Sequence, residues 1–250
     1  MSTAEARFDL LVVGGGINGA GIARDAAGRG LRTLLCEQHD LAAHTSSAST
    51  KLIHGGLRYL EFYDFRLVRK SLREREIVLD SAPHICWPLR FVLPHDAGQR
   101  PGWMIRIGLF LYDHLARRRR LPGSSGVDLR THPAGQPLES RYTKGFIYSD
   151  AWVDDARLVV LTAMDAREHG ATVLTRTRCA NLAPRGDGWA ATLRRDDGRE
   201  LAIEARAVVN ATGPWVDRFL DDATPVPARR HPRMVKGSHI VVPRLFEHEF

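Results

Sequence analysis

Phe8–Glu37 reads FDLLVVGGGINGAGIARDAAGRGLRTLLCE, an apolar strand running straight into a glycine-rich turn and then a helix. Gly14, Gly16 and Gly19 carry the GxGxxG spacing. The first allows the tight turn, the second lets backbone approach a pyrophosphate, and the third packs helix against strand. Gly15 and Asn18 lie in the same turn and are assigned to it with them. A diphosphate suits the helix N-terminus, where unpaired N–H groups and the positive end of the dipole favour anions. A second strand, Leu31–Leu35, leads to Glu37, 23 residues after Gly14. That is close to the ~20 expected for the acid that accepts from a ribose hydroxyl. Strand, turn, helix and acid together predict a dinucleotide cradle.

The rest of the composition bounds the class. At 250 residues, 44% hydrophobic and 26% charged, the chain has the make-up of a globular protein with room for one large or two small domains. The net charge of +7 predicts a surface that attracts anions: phosphorylated metabolites, anionic lipid or nucleic acid. Cys36, Cys86 and Cys179 are scattered through apolar surroundings without a CxxC pair, which suits a reducing compartment and predicts neither a disulfide framework nor a metal site. The start, MSTAEARFDLL, lacks the basic region and long apolar run of a signal peptide. No stretch reaches the ~18 apolar residues needed to span a bilayer.

Further along, Val68, Leu72 and Leu79 mark a surface helix over 65–80 that stops before Pro83. Prolines and glycines punctuate residues 83–137, which read as an insertion. Ala156, Val159, Val160, Ala163 and Met164 mark a second helix closed by Gly170, and Ala171–Leu174 resumes as a strand. Trp189–Arg194 and Glu200–Ala205 flank Asp197-Gly198 as a hairpin, and Ala207–Asn210 reads as a buried strand ending in Ala211-Thr212-Gly213. The expected fold is α/β: a doubly wound, Rossmann-like dinucleotide domain with an inserted, incomplete antiparallel-sheet substrate domain. Expected boundaries are 1–82 and 148–222 for the nucleotide domain, 83–147 for the insertion, and 223–250 for the start of a substrate domain.

The glycine motif does not separate NAD from FAD, but Thr45–Leu60, TSSASTKLIHGGLRYL, resembles the FAD-dependent glycerol-3-phosphate dehydrogenase family. Trp103–His114 (WMIRIGLFLYDH), Tyr148–Val159 (YSDAWVDDARLV), Val209–Val216 (VNATGPWV) and Lys236–Pro243 (KGSHIVVP) extend the resemblance over nearly the whole chain. It implies FAD as cofactor and oxidation of sn-glycerol 3-phosphate to dihydroxyacetone phosphate. Hydride would pass to flavin N5 and electrons to quinone. It also implies a longer protein, with further phosphate-binding arginines beyond Phe250, so the chain reads as an N-terminal portion.

That chemistry needs a base for the carbinol proton and cations for the phosphate. His54 is the first candidate base, with hydrogen bonding to the cofactor as its other reading; His239, in an expected KGSHIVV strand, is the rival base or a hydroxyl-binding group. Arg58 and Tyr59 resemble the family's substrate contacts, the guanidinium gripping phosphate and the phenol donating to a substrate oxygen. Thr45, Ser46, Ser47, Ser49, Lys51 and Leu52 are assigned to the cofactor, with Cys179 and a second backbone approach at Thr212-Gly213.

Arg117–Arg120 follows the apolar run Met104–Tyr112, a combination that fits an anionic membrane surface. No interleaved binding motif points to nucleic acid. The resulting expectation is a cytoplasmic protein held peripherally on the inner face of the cell membrane, its oligomeric state left open, a dimer included. The alternatives are a related flavin oxidase of another small hydroxy or amino acid, and a truncated, non-catalytic flavin-binding remnant.

Overall fold

The computed structural model describes residues 6–250. In chain order its main elements are β1 (Ala6–Val13), α1 (Ile17–Gly28), β2 (Thr33–Cys36), β3 (Leu52–Ile53), α2 (Phe65–Ser81), β4 (Cys86–His95), α3 (Gly102–His114) and β5 (Ser125–Asp128). They continue with β6 (Lys144–Val153), α4 (Asp155–Glu168), β7 (Thr172–Leu174), β8 (Thr177–Arg185), β9 (Gly188–Arg195), β10 (Glu200–Asn210) and α5 (Val216–Ala223). Two compact units emerge, one made of the residues up to 49 with 155–239, the other of 50–154 with 240–250.

The first unit is built on a six-stranded sheet of order β7-β2-β1-β10-β9-β8. Strands β7, β2, β1 and β10 run parallel, and β9 and β8 continue antiparallel. Leu11 and Val12 of β1 have no exposed surface, as expected for a strand covered on both faces and therefore apolar at consecutive positions. On one face, Ala20, Ala23 and Ala27 of α1 lie in the same cores as Val159, Ala163 and Ala166 of α4. Small side chains let the two helices approach closely. The other face buries Leu11, Val13, Leu34, Leu182, Leu193 and Ile203, with Phe219 of α5 packed against them.

The second unit carries the sheet β3-β6-β4, with β5 also pairing β6. Pro88 and Pro94 sit inside β4, opposite Ala151 and Gly145. They are tolerated because, among the described residues, β4 pairs with β6 alone, and an edge strand can omit N–H donors. The punctuation that suggested a plain insertion thus belongs partly to an edge strand. Helix α2 starts at Asp64, whose carboxylate accepts from Leu67 N–H, and buries Val68 and Leu72 with Tyr112 of α3.

Several expectations need revision. The units divide after residues 49 and 154, not at 82 and 147, so α2 and β6 belong to the second unit. Glu200–Asn210 is one strand rather than two: residues 200–205 pair β9, and the ladder with β1 starts at Ile203 and runs on to Asn210. Residues 236–243 form no strand, because no described strand offers them a ladder and their backbone would have no sheet partner. The signal-peptide reading rests partly on residues 1–5, which lie outside the described residues.

Candidate functional site

Because β1, β2 and β10 run parallel, their carboxyl ends come together: Val13 pairs with both Cys36 and Asn210. Open parallel sheets hold ligands at such ends. A cavity of about 390 Å³ lies there, within the range of small-molecule sites. Its lining includes Gly14, Gly16, Asn18, Glu37, Thr45, Ser46, Cys179, Thr212 and Gly213, all anticipated from sequence. It also includes Cys36, His44, Arg178, Trp215 and Arg218, which were not.

The cradle is shaped by backbone. Gly14 has φ +112°, and a Cβ there would meet the carbonyl oxygen of Ala211 at 2.5 Å. A Cβ on Gly19 would collide with the Gly14 carbonyl oxygen, so the helix touches the turn through hydrogen alone. Helix α1 begins at Gly16 with no side-chain cap, and its first intrahelical bond runs from Ala20 N–H to Gly16 O at 2.9 Å. Ser46 Oγ accepts from Ile17 N–H at 3.0 Å, while Asn18 and Gly19 in the first turn have no intrahelical acceptor. Glu37, 9% exposed, organises the turn by accepting from Gly15 N–H (2.7 Å) and His39 N–H (2.8 Å). Gly15 therefore serves the cradle through Glu37 rather than by lining the cavity.

The far wall has its own logic. Cys179 sits at a register shift of β8, between the pairs Cys179/Leu193 and Asn181/Thr192, and a bulge of this kind re-aims side chains. Burial pushes the Cys36 and Cys179 thiols up, Cys179 to about 12, so both line the cavity as neutral groups. After β10, Asn210 Oδ1 accepts from Thr212 Oγ1 at 2.7 Å, and its Nδ2 donates to Val216 O at 2.8 Å. This fixes the turn in which Gly213 has φ +60°. His44 packs edge-on against Trp215, with ring centroids 4.9 Å apart.

The remaining anticipated residues fall elsewhere. Ser47 Oγ donates to His44 O at 3.1 Å, and Ser49 Oγ to Asp155 Oδ2 at 2.7 Å, at the start of α4. Lys51, Leu52, His54, Arg58 and Tyr59 belong to the second unit. There residues 57–62 form a 3-10 turn in which Leu57 and Leu60, three apart, pack on the Val68, Leu72 and Tyr112 core. Arg58 and Tyr59 between them are consequently exposed, as is His54, while Gly55 and Gly56 are buried. His239 is exposed outside any regular element, among the residues of the first unit.

A βαβ turn with a glycine at the helix N-cap and N–H groups left without intrahelical acceptors, an acid at the end of the second strand, and arginines in the lining fits a dinucleotide, and these features define a dinucleotide-binding α/β protein. Residues 9–249 match the FAD dependent oxidoreductase (DAO) family, and the chain belongs to it, which makes FAD the cofactor. A glycerol-3-phosphate dehydrogenase of Pseudomonas aeruginosa is 60% identical over 97% of this chain and 47% of its own length. A D-erythritol 1-phosphate dehydrogenase of Brucella abortus is 56% identical over 95% of this chain and 48% of its own. The chain thus spans about half the length of these curated relatives. Among solved structures, glycerol-3-phosphate dehydrogenase of Bacillus halodurans complexed with FAD aligns with TM-score 0.65 at 30% identity, over 89% of this chain and 37% of that one.

Proposed function

We propose that this chain is the FAD-binding portion of a dehydrogenase that oxidises sn-glycerol 3-phosphate to dihydroxyacetone phosphate. The observation that carries the reading is 55–60% identity to phosphorylated-polyol dehydrogenases over 95–97% of the chain. The polar groups of the cradle support it. The α1 N-terminus with Gly14, Gly16 and Asn18 would take the diphosphate, Glu37 a ribose hydroxyl, and Thr45, Ser46 and the Thr212-Gly213 turn further polar edges of the cofactor. When bound, FAD supplies the hydride acceptor at N5 and the route for electrons to quinone.

In this reading His54 takes the carbinol proton, Arg58 grips the phosphate, Tyr59 donates to a substrate oxygen, and His239 is the rival base. The exposure of His54, Arg58 and Tyr59 on their own unit leaves all three free to meet a substrate. The proposed setting is cytoplasmic, on the inner face of the membrane. Support comes from the outward stripe of α3, where Trp103, Met104, Ile107 and Phe110 are 40–64% exposed.

Anaerobic mixing of the complete, flavin-loaded protein with sn-glycerol 3-phosphate tests the reading. The flavin should bleach, and His54→Ala should slow the bleaching by roughly 10²–10⁴-fold. Unchanged reduction in that variant transfers the role to His239. Arg58→Ala should weaken substrate capture with FAD retained. Faster bleaching by D-erythritol 1-phosphate than by sn-glycerol 3-phosphate would overturn the substrate assignment.

A further inference from the structure

Beneath the exposed His54, Arg58 and Tyr59, the second unit holds a buried polar group that the reaction chemistry does not require. Arg75, Tyr112 and Asp150 are 1%, 2% and 4% exposed. Arg75 Nη1 donates to Asp150 Oδ1 at 2.5 Å and to the Ser149 carbonyl oxygen at 3.1 Å. Tyr112 Oη donates to the same Asp150 Oδ1 at 2.7 Å. A second carboxylate, Glu76, lies 3.8 Å from Arg75 Nη2.

A charge buried this deeply is costly unless paired, and a hydrophobic trio would fill the same space. The network reaches the turn above it through the Gly55 amide. The Gly55 N–H donates to both Tyr112 Oη, at 2.8 Å, and Asp150 Oδ1, at 3.1 Å. Side-chain bulk enforces the same placement: a Cβ on Gly55 would stand 2.6 Å from Tyr112 Oη and collide with Leu72. Gly55 is thus pinned between α2, α3 and β6, one residue after His54 and three before Arg58.

We propose that Arg75, Tyr112 and Asp150 are positioning residues that hold the Gly55 amide and, through it, set the reach of His54, Arg58 and Tyr59 toward the substrate. Arg75 fixes the rotamer of the Asp150 carboxylate, the carboxylate and the phenol together fix the amide, and the amide fixes the turn. The inference rests on the proposed dehydrogenase reading for what the turn does, but not for what holds it.

The experiment uses the complete, flavin-loaded protein with Tyr112→Phe and Asp150→Asn. Tyr112→Phe keeps the ring that packs on Val68 and Leu72 and removes only the hydroxyl. Asp150→Asn keeps an acceptor for Gly55 but loses the charge facing Arg75. If Asp150→Asn does not fold, Tyr112→Phe carries the test. Flavin content should stay at the parent level while reduction by saturating sn-glycerol 3-phosphate slows by about 10- to 100-fold, the scale of a small misplacement of reacting groups. Deuterium uptake over residues 52–60 should rise, with uptake over residues 65–81 unchanged. A lowered melting midpoint with the reduction rate per bound flavin unaltered would make the group merely structural and overturn the proposal. If sn-glycerol 3-phosphate does not reduce the parent protein, the dehydrogenase reading fails on its own and uptake decides the rest. Faster exchange over 52–60 in Tyr112→Phe then supports the positioning role, and unaltered exchange overturns it.

Discussion

A methyl group added at Gly19 would collide with the carbonyl oxygen of Gly14, an atom of the turn itself rather than the far end of a flexible side chain. Relief therefore requires α1 to move away from β1, which widens the cradle where its shape depends on backbone contact. Gly19→Ala should purify without the yellow flavin spectrum, while Gly21→Ala, whose added Cβ meets nothing within 4 Å, should keep it. Equal flavin content in the two variants would remove the close-packing role of Gly19. The cavity thiols give a prediction of opposite character. Burial holds folded Cys179 protonated up to about 12, whereas an unfolded thiol ionises near the ordinary value of 9.0. A raised folded pKa contributes stability that is complete below about pH 9 and is lost as pH climbs toward 12, at up to about 1.4 kcal/mol per pH unit. Urea midpoints measured at pH 8, 9.5 and 11 should fall less steeply for Cys179→Ala than for the parent. Parallel declines would show that other groups set the alkaline limit.

At the scale of elements, legibility followed the local signal. The β1-α1-β2 unit could be read because apolar run, glycine spacing and acid are contiguous, and the Asp197-Gly198 hairpin because turn chemistry is local. Strand β4 could not, since Pro88 and Pro94 argue against a strand until its edge position is known. Strand β8 escaped because CANLAPR, with its bulge at Cys179/Asn181 and its proline, breaks the alternation that marks a strand. The site was similarly divided. Glycines, Glu37 and the hydroxyl run were visible in one stretch of chain, whereas Arg178, Trp215 and Arg218 reach the cavity from elements over 130 residues further on; Arg178 and Arg218 belong to no motif, and nothing in VNATGPWV marks Trp215 as a lining residue. In sequence, Arg75 is one charge among many in the surface helix expected over 65–80. Only the tertiary fold reveals it as the buried partner of Asp150, 75 residues away.

For the molecule as a whole, the basic run and the apolar helix before it contribute unequally to any contact with lipid. No helix among the described residues is long and apolar enough to cross a bilayer. Arg118 pairs with Asp113 at 3.0 Å, and Arg119 and Arg120 share Asp80 at 3.1 and 2.8 Å. Three of the four arginines therefore already face carboxylates, which lowers the field they offer to headgroups. The outward face of α3 has no such compensation: Trp103, Ile107 and Phe110 recur at helical spacing and are 64%, 52% and 56% exposed, while Leu109 and Tyr112 fill the core. Burying three large side chains at about 1.5–3 kcal/mol each outweighs exposed charge pairs at roughly 0–1 kcal/mol. Sedimentation with anionic vesicles should accordingly fall more for the triple variant Trp103→Ser, Ile107→Ser, Phe110→Ser than for Arg117–Arg120 changed to glutamine. Salt should release part of the parent protein and little of what the apolar stripe retains, since ions screen exposed charge over about 10 Å at 0.1 M and leave burial intact. Equal recovery of the triple variant and the parent on vesicles would exclude α3 as the lipid contact.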